Sequence, residues 1–298
     1  MQKKSVLSVV GAGVLWGIIS LFIRPLSDAG LTSVRITAVR MIVGSVVLVV
    51  FTAARSRDKL RIRLRDLWMF VGTGVVSTAV FNFCYFYTII HSEASVAVVL
   101  LYTSPVFILL LSALLFRERI TRVKVASLVL TFAGCVCVAG LTGGVRLTAP
   151  VLLTGLGSGL FYGLYTIFGR CALQKYDPLT VTAYTFVLGL VGTLPFCRPV
   201  SLVRTVCTDA RLALLSLGIG LCSTVLPYFL YTWGLEHMES GKAAILVAVE
   251  PLVGAVVGMT VFRESRSAVK LVGIVLILAA ILLLNLPDKQ KANKEEDG

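Results

Sequence analysis

Three observations predict an all-α integral membrane protein, with ten transmembrane helices arranged as two inverted five-helix repeats. Of 298 residues, 57% are hydrophobic and only 14% charged, whereas a soluble domain is about one quarter charged. Apolar runs of about 18 residues or more recur from end to end, long enough to cross a bilayer core. The sequence also matches itself, without a gap across most of a half, when shifted by 146 positions.

The predicted spans are 5–23, 31–53, 67–89, 94–115, 124–141, 149–169, 178–197, 211–234, 241–262 and 268–286. They must be helices, because backbone polar groups in lipid have no partner outside their own segment. The first span follows Lys3 and Lys4 like a signal peptide. Its apolar stretch is too long for one and no cleavage site follows, so a retained span is expected. The polar tail 288–298 lacks periodicity, and disorder is expected there.

Cations set the expected orientation. Lys3 and Lys4, Arg55 to Arg65, and Arg117 to Lys124 fall in alternate segments, while the first and third loops hold only Arg24. Cation-rich segments stay on the cytoplasmic side, so both termini are expected in the cytoplasm of a multi-pass inner (cell) membrane protein. Loops seven and nine run against this rule: Arg198, Arg204, Arg211, Arg263, Arg266 and Lys270 are expected outside. The net charge of +13 is explained by such loops, and no basic domain exists to bind nucleic acid.

The repeat divides the chain into 1–145 and 146–287. Gly11, Gly13 and Gly17 fall on Gly157, Gly159 and Gly163, and Gly72, Gly74, Ser77 and Thr78 on Gly218, Gly220, Ser223 and Thr224. His91-x-Glu93 falls on His237-x-Glu239, Pro105 on Pro251, and Phe116-Arg117-Glu118 on Phe262-Arg263-Glu264. With five spans per copy, the second enters the membrane inverted, the architecture of many secondary transporters.

Pro105, the apolar run after it and "FRERIT" at 116–121 resemble the EamA domain, and "VEPLVGAVVGMTVFRES" at 249–265 resembles its second copy. The resemblance covers about residues 5–286 and implies the drug/metabolite transporter superfamily. It thereby implies ten helices in two inverted repeats, a central cavity and alternating access. Arg40 and Glu250-Pro251 match residues common in such sequences. The second copy departs from the pattern at "FRESRS". The superfamily carries amino acids, metabolites, drugs and sugar phosphates, so the resemblance leaves the substrate open.

Deep charges are costly and usually face a cavity or a partner. Arg35, Arg40 and Glu250 are read as such, and their repeat mates are Val181, Phe186 and Ser104. Glu250 is a candidate protonatable site or substrate-amine contact. Arg40 is a candidate substrate-carboxylate contact or the partner of Glu250, and a structural ion pair is the competing reading. Trp16, Ser77, Asn82, Tyr102, Tyr162, Tyr165, Ser223 and Tyr228 complete the candidate wall, apolar with a few fixed hydrogen bonds. Pro105 and Pro251 remove a backbone donor mid-span and are candidate hinges, freeing the carbonyls of Leu101 and Val247. Glu118 and Glu264 are candidate gates at opposite mouths, or else simple helix caps.

Other classes lack their residues. No Walker sequence, Gly-x-Ser-x-Gly or His-Glu-x-x-His occurs, so neither ATP-driven transport nor an intramembrane enzyme is predicted. Inversion would put the two His-x-Glu pairs a membrane apart, so no metal site and no cofactor are expected. The seven cysteines mostly lie in apolar runs and read as small hydrophobes. The predicted function is a secondary transporter of a small metabolite, exporting or exchanging an amino acid, amine or drug-like compound, with proton coupling through Glu250. A passive facilitator and a non-transporting scaffold are the alternatives. The Gly-x-x-x-Gly faces suit internal packing, and both monomer and homodimer stay open. Partners are then the small-molecule substrate and membrane lipid.

Overall fold

A computed structural model describes residues 2–92, 94–140, 148–263 and 267–285. It contains ten helical segments long and apolar enough to cross a bilayer. Spans 1 to 5 are Lys3–Asp28, Ser33–Arg55, Leu64–His91, Val96–Phe116 and Arg122–Ala139. Spans 6 to 10 are Ala149–Leu173, Pro178–Cys197, Ala210–Glu236, Ser240–Thr260 and Ala268–Asn285. Ten crossings bring residues 2 and 285 to one face, here the terminal face. The tail 288–298 and Glu264 lie outside the described residues.

Corresponding spans of the two halves pack on each other. Span 2 lies along span 7, and span 5 along span 10. Span 1 packs on spans 8 and 9, as span 6 packs on spans 3 and 4. Glycine makes the closest of these approaches. A Cβ at Gly134 would lie 2.9 Å from the Gly273 carbonyl, and one at Gly273 2.7 Å from the Gly134 carbonyl. Small residues let two backbones come this near.

Several spans are not regular helices. Span 4 is interrupted at Tyr102–Thr103, between Ala94–Leu101 and Ser104–Phe116. Span 9 is interrupted at Val247–Ala248, between Ser240–Leu246 and Val249–Thr260. Each second half carries its proline within its first turn, where the N–H groups lack a helical acceptor anyway. The Val247 carbonyl, expected to be free, accepts the Glu250 N–H at 3.0 Å. A tighter i to i+3 bond thus replaces the lost helical one. Spans 3 and 8 contain π-helical stretches at Gly72–Val80 and Leu221–Val225.

Tertiary packing alters three expectations. Arg35 is not deep: it sits in the first turn of span 2, after the N-cap Thr32. Lys124, read as a loop charge, and Asp66, at the border of span 3, are 6% and 3% exposed, because each has a partner from a distant loop. The seventh loop contains a ten-residue helix, Pro199–Thr208. Proline at its first position favours the start, and Asp209 ends it by capping span 8 through the Arg211 and Leu212 N–H groups.

Candidate functional site

The breaks in spans 4 and 9 are seated on glycines of spans 6 and 1. A Cβ at Gly13 would lie 2.8 Å from the Val247 carbonyl, and one at Gly159 2.9 Å from that of Leu100. One turn on, a Cβ at Gly17 would lie 2.7 Å from the Glu250 carbonyl. Backbone cannot yield as a side-chain tip can, so these glycines fix the height and rotation of the Glu250 turn.

Between the breaks lies a cavity. Its wall includes Trp16 of span 1, Ser77 of span 3, Tyr102 and Pro105 of span 4, Tyr162 and Tyr165 of span 6, Tyr228 of span 8, and Glu250 of span 9. Thr166, Tyr231, Ser104, Ile108, Ala244, Val247 and Ala248 complete it. The volume open to water centres is about 30 Å³. One water needs roughly 10–15 Å³ by this measure, so the cavity holds about two waters. An amino acid does not fit without rearrangement.

Aromatic rings form much of the wall. Tyr228 meets Trp16, Tyr165 and Phe186 edge to face, with centroids 5.1, 5.2 and 5.0 Å apart. Spans 6 and 8 are braced by two hydroxyl pairs, Tyr165 with Thr232 and Thr166 with Tyr231, each at 2.7 Å. Those hydroxyls are engaged. Tyr102 and Tyr162, also on the wall, form no side-chain hydrogen bond to the described residues.

Glu250 is half-buried and faces this space. Its carboxylate makes no hydrogen bond or ion pair with any described residue. Arg40 itself is tied elsewhere, its Nε donating to Thr224 Oγ1 at 2.9 Å. The π-helical turn aims that hydroxyl, which donates in turn to the Ile219 carbonyl five residues back. In span 3 the Ser77 hydroxyl likewise donates to the Gly72 carbonyl, five residues back. Such π-bulges recur at functional sites.

The remaining candidates lie off the wall. Asn82 donates its amide to the Thr78 carbonyl at 2.7 Å. Ser223 is fully buried, and its hydroxyl has no partner among the described residues. Pro251 is buried behind Glu250. Glu118 lies at the terminal face, where its carboxylate accepts the N–H groups of Ser240 at 2.7 Å and Gly241 at 3.1 Å. It thereby caps the first half of span 9, where anionic groups are favoured. Arg117 makes this reach possible by adopting a left-handed conformation, φ 56°, at the end of span 4. Arg263, at the equivalent place after span 9, also has φ 56°.

Thr166, Tyr231, Thr232 and Thr224 were not among the sequence-derived candidates. Thr224 matches Thr78 in the repeat register, and Tyr231 falls on Tyr85 in the same register, a signal for scaffold rather than cavity. Thr166 and Thr232 had no signal, since a threonine inside a span more often bonds its own helix. Among the described residues no cluster of His, Cys, Asp and Glu could hold a metal. Both histidines instead bond the carbonyl four residues back, His91 to Tyr87 and His237 to Trp233.

Comparison with known proteins gives one family. The EamA-like transporter family matches at residues 3–140 and again at 149–286. An uncharacterised transporter of Archaeoglobus fulgidus is 29% identical over 280 residues, 93% of this chain and 94% of the relative. The uncharacterised inner membrane transporter YicL of Salmonella typhimurium is 25% identical over 296 residues, 97% of this chain and 98% of its own. A probable terminal-alkyne amino-acid exporter of Streptantibioticus cattleyicolor is 26% identical over 247 residues, covering 83% and 82%. One crystal structure superposes with a TM-score of 0.78 at 17% identity, covering 96% of this chain and 98% of that one, a likeness of fold alone.

Proposed function

The chain belongs to the EamA-like transporter family, and from that premise we propose an alternating-access secondary transporter built from inverted repeats 1–145 and 146–287. It exports or exchanges a small metabolite bearing an amine, with proton coupling through Glu250. The observation that carries the reading is the Glu250 carboxylate, at the break of a span, facing a cavity and free of any ion pair with the described residues. A structural ion pair with Arg40 would have engaged both groups, whereas Arg40 donates to Thr224.

Duplication is supported by two family matches, by matched breaks in spans 4 and 9, and by the equal φ of Arg117 and Arg263. The amine class is supported by a carboxylate among aromatic faces, which attract cations, and by the amino-acid exporter among the relatives. In this reading a proton and the substrate ammonium compete for Glu250. Tyr102 and Tyr162 supply hydroxyls that no described residue engages, and Arg40 holds Thr224 in place behind the wall. Trp16, Tyr165 and Ser77 shape the space. Spans 4 and 9 pivot at Pro105 and Pro251, and Glu118 closes the terminal mouth, assigned here to the cytoplasm. Glu264 is the proposed counterpart, outside the described residues.

The test is uptake of amines and amino acids into proteoliposomes with and without a pH gradient. Gradient-driven flux is expected for the wild type, and Glu250→Gln should reduce it at least about tenfold while leaving insertion intact. Full, pH-independent flux in Glu250→Gln would leave a passive facilitator, and no flux for any solute a scaffold.

A further inference from the structure

The cations of the seventh loop oppose the expected orientation, and the transport reading gives them no role. We infer that the helix Pro199–Thr208 is an interfacial helix that, with Arg198, binds the headgroup of an anionic phospholipid. This rests on its own geometry and charge and is independent of the proposed substrate.

At roughly 100° per residue, the helix has three sectors. Leu202 and Val206 face inward, packing in the cluster of Leu26, Leu31, Ile36 and Leu212. Beside them Val203, Cys207 and Val200 form an apolar sector that is exposed, Val200 at 83%. Arg204, Thr208 and Ser201 form the polar remainder, all exposed. A helix half seated on protein and half apolar toward the outside suits the boundary of headgroups and acyl chains. The exposed Phe196 and Leu214, at the adjoining ends of spans 7 and 8, continue the apolar surface.

The charge sits at the border of that surface. Arg198, Pro199, Val200, Ser201 and Arg204 line one concave space, which puts two guanidinium groups beside the apolar sector. Arg35 donates from Nη2 to Ser201 Oγ at 3.2 Å, adding a third cation and tying the helix to span 2. The nearby Asp209 is occupied as the cap of span 8. Guanidinium matches a phosphate in charge and in bidentate geometry, and the apolar sector matches the acyl chains. A phospholipid supplies both, whereas a free phosphate supplies one.

Native mass spectrometry of the purified full chain, titrated with phosphatidylglycerol and phosphatidylcholine, tests this. Phosphatidylglycerol should bind more tightly. The double variant Arg198→Gln/Arg204→Gln should lose about 30-fold of that affinity, and Arg204→Gln alone about fivefold, from the usual worth of one arginine at an anionic surface. The single variant carries the test if the double one fails to fold. Arg61→Gln on the terminal face should change nothing. Equal phosphatidylglycerol binding by the wild type and Arg204→Gln, or an equal loss in Arg61→Gln, would overturn the inference. So would displacement of the lipid by glycerol phosphate at equal concentration, which would mean a site for soluble phosphate.

Discussion

On the terminal face, Asp66 accepts from Lys175 at 2.6 Å and from the Tyr176 hydroxyl at 2.8 Å, and Lys59 pairs with Asp177 at 2.7 Å. On the opposite face, the positions equivalent to Asp66 and Asp177 in the 146-residue register are Leu212 and Leu31. These two leucines share one apolar cluster with Leu26, Ile36 and Leu202. The same join between loops is therefore polar on one side and greasy on the other. The terminal face carries further cross-links: Glu118 on the N–H groups of Ser240 and Gly241, Lys124 with Glu239, and Arg170 on the carbonyls of Leu235 and Met238. Among the described residues, the opposite face includes Arg35 to Ser201, the paired hydroxyls of Thr88 and Thr154 at 2.9 Å, and Arg24 over the Phe262 ring at 3.8 Å. Directional bonds hold one register and break in discrete steps, whereas apolar contacts tolerate sliding. At the positions that compare directly, Asp66 and Asp177 against Leu212 and Leu31, the terminal face is thus the one held by directional bonds.

Exchanging the two chemistries tests the contrast. Leu212→Asp should be most damaging, costing about 3–5 kcal/mol, because it buries a charge with no partner. Chemical denaturation in detergent measures it, and a loss under 1 kcal/mol would mean the cluster is wet. Asp66→Leu should cost roughly half as much, since Lys175 is half exposed and regains water. A loss exceeding that of Leu212→Asp would reverse the comparison. Glu118→Gln should leave stability nearly unchanged while loosening the latch. A cysteine at Ser104 on the cavity wall should then react about tenfold faster with an impermeant reagent from the terminal side, as expected for weaker bonds to span 9. An equal rise from both sides would reduce Glu118 to an ordinary helix cap.

Much of this contrast was hidden in the sequence. The ten spans were legible because hydrophobic length is a local property and lipid leaves helices as the only solution. Pro105 and Pro251 marked the spans that break, since proline acts within one turn. The wall was legible in part: aromatic residues and a mid-span glutamate stand out against Val and Leu. Asn82 and Ser223 stood out equally, but their helix rotation points them at their own turn or into the core. Lys124 and Asp66 looked like loop charges because their partners, Glu239 and Lys175, lie over 100 residues away.

By itself the sequence determined the class, the number of spans, the deep carboxylate and the repeated glycines and prolines, all readable from composition, length and register. Only the tertiary structure decided that Arg40 goes to Thr224, and that Glu250 faces a space for about two waters. It also decided that Glu118 grips the start of span 9 and that a helix lies in the seventh loop. Those outcomes depend on helix rotation and on which distant groups meet. Both are settled by packing between spans, as where Gly13 and Gly17 bring span 1 against the carbonyls of Val247 and Glu250.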